Sequence, residues 1–312
     1  MADLSMRAAS RPGTLAFAAR TCVPRARAAI VFAICVFAAL SASAPVEAQS
    51  PAHSKLPIFD AHVHYSQPAW TSHPPENVVA ALKAAGVPRA LVSSTPDDGS
   101  LALARADSRR FVPMLRPYRG TIGSSNWTSD PDLADYLETR LTAGRYAGIG
   151  EFHLFDPALV ATRGAKRVVE LAIERDLYIH IHSDARPVRA LFALEPRLKI
   201  LWAHAGMTEP PEIVAHMLER HPSLLVELSF RTGDIAPGGK LDSSWRALFL
   251  AHPQRFLVGT DTYITARWDN YGEIVEEHRR YLAQLPRETA EAIAWRNAAR
   301  VFGTGEAPEL RD

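Results

Sequence analysis

From Lys55 onward the chain alternates short apolar runs with longer segments in which apolar positions recur every three or four residues. Eight short runs read as strands: Ile58 to His64, Ala90 to Ser94, Phe111 to Tyr118, Ala147 to Phe152, Leu177 to His182, Lys199 to His204, Leu224 to Phe230 and Phe256 to Asp261. The longer segments predict helices over Pro75 to Ala85, Ser100 to Arg110, Pro131 to Ala143, Ala165 to Arg175, Pro187 to Glu195, Pro210 to Arg220, Ser243 to His252 and Tyr271 to Gln284. Several open on a proline, whose lack of an amide hydrogen costs nothing in a first helical turn. The strand-like runs are apolar throughout, as parallel strands covered by helices should be. Eight such units in about 230 residues predict an α/β chain folded as one (β/α)8 TIM barrel, in preference to two small domains or an open doubly wound sheet.

No repeat, low-complexity tract or Pro/Gly-rich linker divides this region, so residues 49–312 are taken as one domain. The longest loop candidate, 119–130, carries Gly120, Gly123 and Trp127 and is expected to be a lid. The first 48 residues differ in kind. Arg20, Arg25 and Arg27 precede an apolar run from Ala28 to Leu40, and Val46-Glu47-Ala48 forms an Ala-type cleavage site before Gln49. That run is shorter than the roughly 20 residues a spanning helix needs, so a cleaved secretory signal over 1–48 is expected rather than a stable membrane anchor. The expected destination is the periplasm.

Export changes the chemistry that is available. Both cysteines, Cys22 and Cys35, lie in the expected signal, so a mature chain would have neither a disulfide nor a thiolate ligand. Of 35 basic and 34 acidic residues, the signal holds five arginines against Asp3 and Glu47, leaving 30 basic and 32 acidic. A slightly acidic chain gives no electrostatic case for nucleic acid and leaves a small molecule as the expected partner.

Five of the runs end in a side chain that can hold a metal: His62-Val63-His64, Glu151, His182, His204 and Asp261. Barrel enzymes carry their chemistry at the carboxyl ends of the strands, so these residues are expected to converge. Residues two apart on a strand share a face, which puts His62 and His64 together and places Asp60 one layer deeper. Four imidazoles and two carboxylates are nitrogen and oxygen donors suited to Zn, Mn or Fe, and are numerous enough for one or two ions. In the two-ion arrangement His62, His64 and Asp261 hold one ion, His182 and His204 the other, and Glu151 bridges. Asp261 is the expected general base for a water activated by the metal. Arg116, His153 and Arg231 follow strand ends and are candidates for substrate contact, and His180 reads as interior or as a partner of a ligand. No Gly-x-Ser-x-Gly, Walker, Gly-x-Gly-x-x-Gly or His-Glu-x-x-His pattern competes.

The motif from Phe59 to His64, followed in order by His182, His204, Gly259-Thr260-Asp261 and the run from Trp295 to Gly303, resembles the amidohydrolase superfamily, in particular its amidohydrolase-2 branch. The resemblance implies that His62, His64, His182, His204 and Asp261 form a metal site. Gly148-Ile149-Gly150-Glu151 resembles the glutamate version of strand 4 found in TatD-like hydrolases, whereas decarboxylase members, with one metal, need no bridge there. The reading is an exported metal-dependent hydrolase of a small amide, lactone or ester. A non-oxidative decarboxylase of an aromatic or unsaturated acid and a non-catalytic ligand-binding barrel are the alternatives, with a TatD-like nuclease behind them.

Overall fold

The computed structural model describes residues 56–303, so the expected signal over 1–48 and both cysteines lie outside the described residues. The strands are β1 (Phe59–His64), β2 (Arg89–Ser93), β3 (Phe111–Leu115), β4 (Gly148–His153), β5 (Tyr178–His182), β6 (Lys199–Trp202), β7 (Leu224–Glu227) and β8 (Phe256–Leu257). They form one sheet in the order β1 to β8, and every neighbouring pair is parallel. Two backbone bonds join the first and last strand segments, from Ala61 N to Val258 O at 2.7 Å and from Asp261 N to His62 O at 2.6 Å. The fold is therefore a single (β/α)8 barrel, nearly closed.

The helices are α1 (Pro75–Ala84), α2 (Asp98–Ala106), α3 (Leu133–Ala143), α4 (Arg163–Glu174), α5 (Ala185–Leu194), α6 (Pro211–Arg220), a single turn α7 (Thr232–Ile235), α8 (Ser243–Ala251), α9 (Tyr271–Leu282), α10 (Arg287–Glu291) and α11 (Asn297–Phe302). Their starts follow local chemistry. Pro75 and Pro211 occupy first-turn positions. Thr162, Asp184 and Asp242 cap α4, α5 and α8 by accepting from backbone amides two or three residues on.

Two apolar layers follow from strand alternation. Ile58, Val63, Val92, Ile149, Ile179, Ile200 and Val226 face the helices. Phe59, Ala61, Leu91, Met114, Leu201, Leu225 and Leu257 fill the barrel interior, and Ala298, Ala299 and Phe302 of α11 close it from below. Asn297 fastens this plug, its Nδ2 donating to Pro253 O at 2.8 Å and Phe256 O at 2.9 Å. The interior is thus dry at its floor, and its polar groups collect above it, at the carboxyl ends of the strands.

Two expectations need correction. The runs assigned to β6, β7 and β8 extend past the ladders, because the chain leaves the sheet at Trp202, Glu227 and Leu257 to aim side chains across the mouth. Asp60 is not a deeper interior residue. Asp60 to Val63 opposes only Ala90 to Val92, so β1 carries one extra residue, and this bulge turns Asp60 outward to accept from Thr260 and from Tyr271 OH at 2.8 Å. The 119–130 loop is anchored at its C-terminal end, where Trp127 and Thr128 are buried and the Trp127 indole donates to His153 O at 2.8 Å, while Gly120, Thr121 and Ser124 to Asn126 are exposed.

His278 on α9 is fully buried, with its Nδ1 2.9 Å from Tyr281 OH. Burial pushes its pKa down to about 4, against the opposing pull of Glu227. An unfolded chain protonates this ring from about pH 6.5 downward while the folded one does not, so the ring removes stability as pH falls from 6.5 towards 4. The cost approaches about 2–3 kcal/mol near pH 4.5. Urea unfolding of the metal-free protein at pH 7 and pH 4.5 should show a smaller acid loss in His278→Gln by that amount; equal losses in the two proteins would refute the assignment.

Candidate active site

Each strand delivers its group by a local device. Beyond its bulge, β1 presents His62 and His64. On β4, Gly150 pairs with His180 and Phe152 with Ile181, leaving Glu151 as an extra residue. Without that bulge Glu151 would share the outward face of Ile149; with it, Glu151 and His153 both point inward. Gly150 is required here, since it holds φ +135° and a Cβ would meet His180 O at 2.1 Å. His204 (φ 57°), Ala205 (47°), Met207 (62°), Phe230 (60°) and Asp261 (50°) follow β6, β7 and β8 in left-handed conformations that cost non-glycine residues about 1–2 kcal/mol each. Strain gathered at one end of a fold marks a functional site.

The converging atoms form two groups around Glu151. Its Oε2 lies 3.1 Å from His64 Nε2 and 3.5 Å from His62 Nε2. Its Oε1 lies 3.0 Å from His182 Nδ1 and 3.4 Å from His204 Nε2. Asp261 spans both halves, with Oδ1 3.2 Å from His64 Nε2 and Oδ2 3.8 Å from His204 Nε2. The structure thus brings His62, His64, Glu151, His182, His204 and Asp261 together.

Electrostatics bind this cluster tightly in the metal-free protein. Burial alone would raise the Glu151 pKa, but His62, His182 and His204 hold it well below the usual carboxylate range. Burial likewise opposes ionisation of Asp261, and His62 and His64 reverse the effect. Burial works against a charge on His62, yet Asp261, Glu151 and Glu227 raise its pKa well above the ordinary value. Three buried carboxylates concentrated in a dry barrel require positive charge between them.

The donor set fits a divalent cation. His62 Nε2 and His64 Nε2 face each other at 3.0 Å, and His204 Nε2 faces His182 Nδ1 at 3.1 Å. One proton can bridge the two rings of each pair, but the same nitrogens also crowd a Glu151 oxygen that this proton leaves unserved. A tetrahedral ion with bonds of about 2.0–2.1 Å would separate neighbouring nitrogens by about 3.3 Å and satisfy both. Asp261 Oδ1 is buried without a hydrogen-bond partner, as a ligand atom lacking its ion would be.

Glu227, which sequence reasoning passed over, orients the set from behind. Its Oε2 lies 2.9 Å from His62 Nδ1 and accepts from Ser229 Oγ at 2.9 Å, while Ser229 Oγ lies 2.8 Å from His204 Nδ1. Burial opposes its ionisation, but His62 and His204 bring its pKa down to about 2. A carboxylate on the far nitrogen of a ligand imidazole fixes its tautomer and raises its basicity. The signal was present in the chain: Leu225 and Glu227 share one face of β7 by the same two-residue rule that paired His62 with His64.

The remaining candidates separate. Arg116 lies against the cluster, Nη2 3.3 Å from Glu151 Oε2 and Nε 2.8 Å from Glu151 O. The His153 ring stacks on His182 at 4.3 Å, with Nδ1 3.0 Å from Tyr118 OH. Burial lowers its pKa to about 4, so it is neutral at pH 7. Arg231 does not reach the site as a substrate contact. Its guanidinium donates to His204 O, Ala205 O, Glu209 O and Asp234, and so holds the β6 turn in shape. His180 packs edge-on to His62 with ring centroids 4.5 Å apart, one layer below the cluster, and its Nε2 has no hydrogen-bond partner.

No curated protein sequence matches the chain significantly. Among solved structures, it is similar to a putative 2-pyrone-4,6-dicarboxylic acid hydrolase from Pseudomonas putida, at 16% identity and TM-score 0.58 over 80% of this chain and 98% of that one. YJJV, a TatD homolog from Escherichia coli, aligns at 16% identity and TM-score 0.60 over 80% and 99%. A 4-oxalomesaconate hydratase from Rhodopseudomonas palustris aligns at 14% identity and TM-score 0.54 over 78% and 95%. At these identities the likeness carries the fold alone. The family model described as amidohydrolase covers residues 59–304, the whole barrel with every residue of the cluster. The chain belongs to the amidohydrolase family and is an enzyme of the hydrolase type.

Proposed function

We propose that this protein is an exported metal-dependent hydrolase of a small ester, lactone or amide, working with a metal centre held by His62, His64, His182, His204 and Asp261 and bridged by Glu151. The observation that carries this reading is the division of Glu151, each of whose carboxylate oxygens faces its own pair of imidazole nitrogens. Bound zinc, or manganese or iron in its place, supplies Lewis acidity and lowers the pKa of water towards ~7.

The chain's own groups have distinct tasks in hydrolysis. Asp261 takes the proton of the attacking water and returns it to the departing oxygen or nitrogen. Glu227 keeps the Nδ1 of His62 occupied, so that Nε2 faces the centre. Neutral His153, held by Tyr118, presents a polar edge to the substrate beside His182. Destination is read from the arginine-flanked apolar run before Gln49, which makes the periplasm the proposed location.

A second reading has one specific observation in its favour. Arg116 already gives Glu151 Oε2 a cationic partner at 3.3 Å, which lessens the need for a bridged second ion. A centre with one metal would suit a non-oxidative decarboxylase.

Metal content decides between them. Elemental analysis of protein purified without chelator should give about two equivalents per chain, falling towards one in Glu151→Gln. One equivalent unchanged by the substitution would put the decarboxylase reading first. No uptake after reconstitution with zinc or manganese would refute both.

Two further outcomes are expected. Asp261→Asn should lower kcat by about 10²–10⁴ on any ester or lactone the enzyme turns over, while metal is still bound; unchanged turnover would remove Asp261 from proton transfer. Glu227→Gln should weaken metal affinity by about 10–100-fold in chelator competition, and an unchanged affinity would make the buried carboxylate a folding element only.

A further inference from the structure

Large apolar side chains are exposed at few places among the described residues, and most of those places ring the site. Phe155 follows β4, Met207 follows β6, Phe230 follows β7, and Tyr263 and Ile264 follow β8, with exposures from 39% to 58%. Two of the aromatic rings flank imidazoles of the cluster: His182, the most exposed of its four histidines, and the buried His204. The Phe155 ring meets His182 edge-on with centroids 5.7 Å apart, and the Phe230 ring meets His204 at 5.9 Å. Tyr263 continues the second wall, 5.8 Å from Phe230.

Phe230 is the informative residue. It combines a left-handed backbone at φ 60° with a ring 44% exposed, so it bears conformational cost without full burial in return. Arg267 lies over the ring at 4.2 Å, with Nε and Nη2 donating to Asp261 O and Thr260 O. The ring is therefore held in place, facing the cluster, in a conformation a phenylalanine would not choose.

Three arginines lie beside the mouth, and Arg267 already gives Nε and Nη2 to Asp261 O and Thr260 O. All three nitrogen positions of Arg116 are engaged by Glu151 and Thr95, and those of Arg231 by backbone carbonyls and Asp234. Neither offers the free fork that recognises a carboxylate.

Resting on the hydrolase reading above, we infer that the mouth selects substrates whose non-reacting part is a neutral aromatic or other apolar group, seated between Phe155 on one side and Phe230 with Tyr263 on the other, and that acid-tailed substrates are disfavoured. Burial of an apolar tail against these rings supplies affinity that a short acyl group cannot.

Three hydroxamates share one metal-seeking head and differ in their tails: acetohydroxamate, benzohydroxamate and the monohydroxamate of succinic acid. Their binding to the zinc-loaded full chain is measured by calorimetry, without reliance on turnover. Benzohydroxamate should bind about tenfold tighter than acetohydroxamate, and the acid-tailed compound no tighter than acetohydroxamate. That ratio should fall towards one in Phe155→Ser and in Phe230→Asn. Asparagine tolerates the left-handed conformation, so the melting temperature of Phe230→Asn should be no lower than that of the parent.

Equal affinities for the three compounds, tightest binding of the acid-tailed one, or a benzohydroxamate preference untouched by both substitutions would overturn the inference while leaving the metal reading intact. Failure of acetohydroxamate itself to bind zinc-loaded protein would overturn the metal reading and this one with it.

Discussion

A carboxylate pair buried among four imidazoles at the mouth of a dry barrel is the constraint to which the rest of this structure answers. Glu151 and Asp261 are almost fully covered, and an anion so placed is costly unless cations or well-aimed donors surround it. The four strand-end histidines and Arg116 each settle part of that balance, while the buried carboxylate of Glu227 behind His62 adds a third anion to it. A divalent ion would settle more of it than protons can, because it carries two charges and can accept lone pairs from facing nitrogens and a carboxylate oxygen together.

The same requirement explains where the backbone departs from regularity. A plain β4 would turn Glu151 outward, and a plain β1 would send Asp60 into the cluster; one extra residue on each strand reverses both outcomes. Gly259 answers the same demand in another way. A Cβ there would lie 2.0 Å from Glu227 Oε1, so only glycine lets β8 pass alongside the carboxylate that steadies His62. Five of the six left-handed non-glycine residues among the described ones follow β6, β7 and β8 at one end of the barrel, and the sixth, Asp176, precedes β5.

This distribution also sets what could be read from the chain. Strand and helix positions were legible because apolar runs and amphipathic segments report burial directly, and the order of histidine, glutamate and aspartate at the run ends marked the cluster. Bulges leave no periodic trace, so Asp60 was placed on the wrong face by a two-residue rule that holds only along an unbroken strand. Arg231 was read as open to a substrate because sequence shows that an arginine follows a strand but not that carbonyls of the β6 turn engage it first. Glu227 was within reach, and was overlooked because it stands three residues before the end of its run at Phe230, in the middle of an apolar stretch.

The floor supplied by α11 has a consequence for how the protein comes into being. Ala298, Ala299 and Phe302 seal an interior whose first wall is laid down by Phe59 and Ala61, and Ala61 is joined to Val258 across nearly the whole barrel sequence. Contacts of such long sequence separation form late. Until the last helix has emerged, water enters from below, the carboxylates remain hydrated and the histidines have no common focus. The site is therefore an outcome of completed folding, and a growing chain has no closed floor beneath its cluster before its C-terminal plug is in place.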